Sequence, residues 1–138
     1  MSSTVRTPAG APSRRRYTKP FVALAVVVGL ALSVGACTKE DVARYAIREK
    51  FGPSLSDTAI KIATCESGLQ ADAVSPDGNN IGLFQINRVH EDWIKSDLGY
   101  DWEQLKDPFV NSEVAKVLYD RAGGWSPWHG TCGGSLGI

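Results

Sequence analysis

The chain has 138 residues, 22% of them charged and 43% hydrophobic, and its formal net charge at pH 7 is 0. The charge is unevenly distributed, because residues 1–36 contain five basic side chains and no acidic one. Residues 37–138 therefore contain 10 basic and 15 acidic side chains, a formal charge of −5. This length suffices for one small domain, and a mildly acidic domain without a basic cluster argues against a nucleic-acid partner.

The first 36 residues have the pattern of an export signal. Four of the five basic side chains form a cluster at 14–19, just before an uncharged run at 21–34, and small residues follow up to position 36. A basic region, an apolar run of about 7–15 residues and a small-residue site are typical of a secretory signal peptide. We therefore predict a signal peptide over 1–36 and an exported domain over 37–138. The basic residues are Arg14, Arg15, Arg16 and Lys19.

Cys37 immediately follows the small residues, and this order resembles a bacterial lipobox. The resemblance implies that Cys37 is lipidated, becomes the mature N-terminus and tethers the domain to the outer side of the cytoplasmic membrane. Plain cleavage stays open. An uncleaved anchor also stays open, because residues 20–38 carry no charge and a spanning helix needs roughly 20 apolar residues. The segment 13–19 loosely resembles a twin-arginine export signal.

The sequence after Cys37 begins with two predicted helices. The hydrophobic pattern predicts a helix over 40–51, which the Gly-Pro pair at 52–53 ends. The Ser-Leu-Ser-Asp stretch at 54–57 resembles a capping box and predicts the start of a second helix. Gly68 is a suitable C-cap for that helix.

The rest of the chain predicts a mainly α domain with a small irregular part. Turn-forming residues at 72–81 predict a loop or small hairpin, and the short apolar stretch 81–86 is a strand or a buried turn. A helix is predicted over 89–98. The Asp-Pro pair at 107–108 predicts the start of a longer helix, which ends at Gly123. The predicted fold class is mainly α (α+β), with a short loop or hairpin beside the second helix.

Glu66 is the candidate catalytic acid. It lies at the C-terminal end of the second predicted helix, on or beside the apolar face and between Cys65 and Ser67. The negative end of the helix dipole and partial burial both disfavour an ionised carboxylate there. A carboxylic acid that stays protonated near neutrality can donate its proton to a glycosidic oxygen.

Two motifs connect Glu66 to a known family. The first is Ala-Thr-Cys-Glu-Ser-Gly-Leu at 63–69, and the second is Asn-Ile-Gly-Leu-Phe-Gln-Ile-Asn at 80–87. They resemble the lytic transglycosylase branch of the lysozyme-like superfamily, whose domains share a Glu-Ser-Gly helix end and a Gly-Leu-(Phe/Met)-Gln-Ile stretch. The resemblance spans roughly 60–132. It implies a lysozyme-like fold that cleaves the β-1,4 bond between N-acetylmuramic acid and N-acetylglucosamine in peptidoglycan.

The resemblance also implies substrate-binding roles for residues near Glu66. Ser67 would hydrogen-bond near the acid or the sugar, and Gln85 would line the cleft. Asn87 would line the cleft as well, although a satisfied turn amide explains Asn87 equally well.

The C-terminal part carries weaker candidates. Tyr119 is the nearest match to a cleft tyrosine of the family, but its Tyr-Asp-Arg-Ala-Gly context departs from the family's Tyr-Asn-Ala-Gly. The Gly-Gly-Trp-Ser-Pro-Trp stretch at 123–128 resembles a smaller actinobacterial and phage subgroup of lysozyme-like domains. Trp125 and Trp128 either stack on sugar rings or pack against the core.

The number of acids bears on the reaction. Glycoside hydrolases normally use two carboxylates, but Asp72 and Asp77 are fully explained as loop and turn residues. The resemblance implies that Glu66 acts alone, first as acid and then as base, and closes a 1,6-anhydro ring on the N-acetylmuramoyl product. Two alternatives stay open: a hydrolytic muramidase that uses Asp72, Asp77 or an activated water, and a non-catalytic wall-binding lipoprotein.

The cysteines favour a disulfide. If Cys37 takes a lipid, Cys65 and Cys132 remain as a pair in an oxidising compartment. Free thiols are one alternative. A zinc site with His90 and His129 is another, but it lacks a second closely spaced ligand pair. We expect a monomer that needs no cofactor or metal ion and that binds peptidoglycan glycan strands.

Overall fold

The computed structural model describes residues 37–138. The predicted signal peptide at 1–36 lies outside the described residues. The described part is mainly helical with one small antiparallel hairpin, so the predicted fold class is confirmed. None of the helices in residues 37–138 is long and apolar enough to cross a membrane.

Helix α1 (Lys39–Ser67) contains the sharp break that the Gly-Pro pair predicts. Gly52 has φ 70° and ψ 175°, outside the helical region, and the helix resumes at Pro53. Proline suits a first helical turn, because its missing N–H has no helical partner there. The predicted capping box takes Ser54 as the N-cap, whereas Gly52 is the last non-helical residue, so the predicted start was wrong by two residues. The helix ends as predicted, with Gly68 in the left-handed conformation at φ 63°.

A hairpin follows the C-terminal end of α1. Strand β1 (Asn80–Ile81) pairs antiparallel with β2 (Ile86–Asn87), and Val74 adds one further bridge to Ile81. The turn 82–85 that joins the strands carries two completely buried side chains, Leu83 and Phe84. The stretch 81–86 is thus both strand and buried turn.

The predicted helix over 89–98 is present, but it is irregular. It consists of a 3₁₀ turn (Arg88–His90), the short helix α2 (Glu91–Trp93) and a π-helical turn (Ile94–Leu98). A further 3₁₀ helix (Trp102–Lys106) was not predicted.

Helix α3 (Pro108–Ala122) begins and ends as predicted. The Asp107 carboxylate caps it by accepting from the N–H groups of Phe109 (2.9 Å) and Val110 (3.1 Å). α3 packs against α1, where Lys50 also pairs with Glu113 at 2.8 Å.

The core lies between α1, the hairpin turn and α3. Its largest fully buried side chains are Phe84, Ile47, Ile62, Ile81, Leu83, Ile94, Leu105, Val114, Asn111 and Ser112. The chain then forms a 3₁₀ turn (Ser126–Trp128) and the short helix α4 (Cys132–Leu136). A disulfide joins Cys65 to Cys132 and ties α4 to the end of α1.

Candidate active site

A groove of about 300 Å³ lies where the end of α1 meets the hairpin and the C-terminal segment. We call it the Glu66 groove. Its lining includes three predicted site residues, Glu66, Gln85 and Asn87, whereas Ser67, Tyr119 and Trp125 lie outside it. The other lining residues are Asn80, Phe84, Ile86, His90, Leu118, Pro127, Trp128 and Thr131.

Glu66 is half-buried at the end of α1 and is held from the C-terminal segment. Its Oε1 accepts a hydrogen bond from the Thr131 hydroxyl. The same oxygen accepts a second hydrogen bond from the Cys132 N–H at 3.3 Å. Cys132 is also bonded covalently to Cys65, the residue before Glu66, with their Cα atoms 5.8 Å apart. The disulfide therefore fixes the donors next to the acid.

The two aspartates considered as second acids lie elsewhere. Asp72 pairs with Lys39 on the surface at 3.5 Å. The Asp77 carboxylate accepts a hydrogen bond from the Ser75 hydroxyl within its own loop. It also accepts from the backbone N–H of Asn79 at 3.1 Å and from the side-chain nitrogen of Asn79 at 2.9 Å. These hydrogen bonds, the one from Ser75 foremost, lower the pKa of Asp77 to about 2. Neither aspartate lines the Glu66 groove.

Gln85 occupies the groove wall in a strained backbone conformation, with φ 46°. Its side-chain nitrogen donates to the carbonyl oxygens of Gly82 (3.0 Å) and Ala73 (3.4 Å). Within residues 37–138 its amide oxygen has no hydrogen-bond partner, so this oxygen remains free to accept from a ligand.

Asn87 and Asn80 form a paired amide wall. The residues oppose each other across the two strands, and Asn87 Nδ2 donates to Asn80 Oδ1 at 2.8 Å. Asn87 Oδ1 accepts from the Val89 N–H at 3.1 Å and caps the following turn. Asn87 thus satisfies a turn and lines the groove at the same time. Sequence reasoning missed Asn80, although Asn80 lies inside the second motif.

His90 lines the groove, although the sequence indicated it only as a ligand of the zinc alternative. Its Nδ1 accepts a hydrogen bond from Trp93 Nε1 at 3.0 Å, so the neutral ring carries its proton on Nε2. Burial foremost, and then the positive charge of Arg121, lower the pKa of His90 below its ordinary value. Near neutrality His90 is therefore an uncharged hydrogen-bond donor.

The remaining predicted site residues make internal contacts. The Ser67 hydroxyl lies 2.9 Å from Leu83 O, which fastens the end of α1 to the hairpin turn. Trp125 stacks on Phe51 with ring centroids 5.5 Å apart and also contacts Tyr119 at 4.5 Å. These contacts are packing contacts.

Trp128 combines packing with a place in the groove lining. It is 4% exposed, and its Nε1 donates to Phe84 O at 3.0 Å.

The zinc alternative is wrong, because the disulfide uses both cysteine sulfurs that the site required. Across residues 37–138 no group of three or more His, Cys, Asp or Glu side chains is arranged to hold a metal ion.

Comparison with protein families identifies the class of the domain. The model of the lysozyme-like domain matches residues 43–130, which is more than half of the chain. The chain therefore belongs to the lysozyme-like domain family, and the predicted resemblance is confirmed. Membership supports a peptidoglycan-cleaving activity at the level of the superfamily. Neither the curated proteins nor the solved structures give a match.

Proposed function

We propose that this protein is a lytic transglycosylase that cleaves the β-1,4 bond between N-acetylmuramic acid and N-acetylglucosamine, with Glu66 as its single acid and base. The observation that carries the proposal is the composition of the Glu66 groove. Among its lining residues, all within the described part of the chain, Glu66 is the one carboxylate. Because hydrolysis by two carboxylates needs a second acid at the scissile bond, this groove favours a reaction that needs one.

The proposed reaction consumes no water, because the C6 hydroxyl of the sugar takes the place of water as the nucleophile. Protonated Glu66 donates its proton to the glycosidic oxygen, and the bond from C1 to that oxygen breaks. The Glu66 carboxylate then takes the proton of the C6 hydroxyl of the same N-acetylmuramoyl unit. The C6 oxygen bonds to C1, and a 1,6-anhydro ring closes. Glu66 is protonated again for the next cycle.

The groove wall is chemically suited to a polar sugar. The free amide oxygen of Gln85 and the Asn80–Asn87 pair offer acceptors and donors for hydroxyl and N-acetyl groups. Phe84 and Trp128 contribute apolar surface in the same groove. A few directed polar groups on a partly apolar wall are typical of small-molecule sites.

The location of the enzyme is a second part of the proposal. We propose that residues 1–36 are a signal peptide and that a lipid on Cys37 tethers the domain to the outer side of the membrane. Cys37 is exposed and free, and it directly precedes Thr38, whose side chain accepts from the Asp41 N–H at 3.1 Å to cap α1. A lipid on the Cys37 sulfur therefore leaves the first helical turn intact.

Glu66→Gln tests the catalytic proposal, because glutamine keeps the size and removes the transferable proton. We expect residues 37–138 with this change to release no soluble fragments from purified peptidoglycan while still sedimenting with it. Glu103→Gln, an exposed substitution outside the groove, serves as the matched control and should act like the unsubstituted domain. Equal release by Glu66→Gln would refute the role of Glu66. Binding without release by the unsubstituted domain would favour the non-catalytic wall-binding protein.

A further inference from the structure

The two carboxylate oxygens of Glu66 have different surroundings. The Thr131 hydroxyl and the Cys132 N–H both donate to Oε1. Among residues 37–138, no group donates to Oε2. Thr131 also lines the Glu66 groove and is exposed there. The acid therefore has one oxygen held by the protein and one oxygen available to a substrate.

We propose that Thr131 is a positioning residue for the catalytic acid, and this inference rests on the proposed function. Its hydroxyl holds Oε1 and leaves Oε2 as the oxygen that gives a proton to the glycosidic oxygen and later takes one from the C6 hydroxyl. Between these two transfers Glu66 is ionised. A hydrogen bond from a hydroxyl favours the ionised form of a carboxylate, so Thr131 stabilises Glu66 at this stage.

Thr131 has a second acceptor within reach, which suits a residue whose partner changes charge. Its hydroxyl oxygen lies 3.2 Å from Trp128 O as well as against Glu66. A hydroxyl donates one proton at a time. When Glu66 is ionised, the hydroxyl donates to Oε1. When Glu66 is protonated, it donates to Trp128 O and stays satisfied.

The backbone around Thr131 is fixed tightly enough for this role. The Thr131 N–H donates to Trp128 O at 3.1 Å, and the disulfide holds the next residue. A Cβ on Gly133 would lie 2.9 Å from Trp128 O, and one on Gly134 would lie 2.5 Å from His129 O. The start of α4 thus packs against the 128–129 backbone and holds the hydroxyl at Glu66.

Thr131→Val tests the inference, because valine keeps the branched shape and removes the hydroxyl. We expect kcat on purified glycan strands to fall about tenfold, the usual scale for a lost hydrogen bond to a charged group. We expect KM to change little, because an interaction made with the acid rather than with the bound sugar acts on kcat. Thr131→Ser should restore kcat.

The control is Thr64→Val, two residues before Glu66, which removes a hydroxyl that donates to Ile60 O at 2.7 Å. It should leave kcat and KM unchanged. A loss of kcat in Thr64→Val equal to that in Thr131→Val would show a merely structural role and overturn the inference, and so would a rise in KM with kcat unchanged in Thr131→Val. The same would follow if Thr131→Ser behaved like Thr131→Val.

A second readout does not depend on turnover and separates this inference from the proposed function. Scalar couplings measured by NMR report whether the Glu66 side chain keeps one rotamer in the unsubstituted domain and in Thr131→Val. Rotamer averaging in the variant supports the positioning role, even if the domain releases no product. An unchanged single rotamer overturns the inference, even if the domain proves to be an active transglycosylase.

Discussion

The amide oxygen of Asn111 on α3 accepts a hydrogen bond from the Phe84 N–H at 2.9 Å inside the core. The nitrogen of the same amide donates to Ile81 O at 3.1 Å and to Leu105 O at 2.9 Å. One fully buried side chain thus satisfies three backbone groups of the hairpin and the 3₁₀ helix. It fixes the turn that presents Gln85 to the Glu66 groove.

Asn111→Leu should therefore destabilise the domain strongly. Leucine has a similar volume but leaves the three backbone groups buried without partners, and each such group costs roughly 1–3 kcal/mol. We expect the free energy of unfolding to fall by about 3 kcal/mol, measured by urea denaturation. Gln70→Leu, at an exposed position, is the control. Equal stability of Asn111→Leu and the unsubstituted domain would contradict the role of the amide.

Gly82 packs so closely against Asn111 and Leu105 that a larger residue should destabilise the domain. It has φ 80°, and a Cβ there would lie 2.5 Å from Leu105 O and would clash with the amide of Asn111. We expect Gly82→Ala to cost about 3 kcal/mol or more, measured by thermal unfolding. Gly78→Ala is the matched control, because Gly78 has φ 73° but open space around its Cα. This control should cost only about 1 kcal/mol. Equal losses would show that crowding at Gly82 is unimportant.

The disulfide should affect both stability and activity. Cys65→Ser and Cys132→Ser, made together with Cys37→Ser, remove the disulfide that joins two residues with a sequence separation of 67. Loss of a cross-link of this length costs about 4 kcal/mol in the chain-entropy model, which urea denaturation can measure. Release from peptidoglycan should fall as well, because Thr131 and Cys132 no longer hold Glu66. Full release by a folded, disulfide-free domain would contradict the coupling.

His90 should make stability depend on pH. Its pKa is lowered in the folded domain by burial and by Arg121, with Trp93 donating to the same ring. The unfolded chain therefore binds the His90 proton at higher pH, near its ordinary value of about 6.5. The contribution of His90 is complete above that pH and is lost as pH falls through the lower, folded pKa.

Urea midpoints measured between neutral and mildly acidic pH check this expectation. The slope of stability against pH should be smaller in His90→Gln than in the unsubstituted domain. His129→Gln, at an exposed position, should leave the slope unchanged. An identical slope in His90→Gln would show that burial of this ring has no energetic consequence.

Local chemistry explains which elements the sequence could predict. Gly52, Gly68 and the Asp107 cap act through their own backbone or the next turn, so the bounds of α1 and α3 follow from short-range rules. A local signal also precedes the 3₁₀ helix Trp102–Lys106, where Gln104 accepts from the Asp101 N–H at 2.8 Å in a capping box. The position of the short α4 depends instead on the disulfide, which is a long-range contact.

The same distinction applies to the candidate site. Glu66 and Gln85 lie inside recognisable motifs and line one groove. Thr131 is 65 residues from Glu66 in sequence and was not predicted as a site residue. Its place beside Cys132 is the one sequence feature that could have indicated it. Trp125 offers the converse case: an aromatic ring in a suggestive motif that packs on Phe51.

In the proposed reaction, one glutamate cleaves peptidoglycan without consuming water. The most direct test is mass spectrometry of the muropeptides that residues 37–138, with the disulfide formed, release from purified peptidoglycan. A transglycosylase yields 1,6-anhydro products that are one water lighter than the corresponding reducing sugars, and this is the expected result. Products with reducing ends would rule out this reaction and would require a hydrolytic mechanism with a second catalytic group.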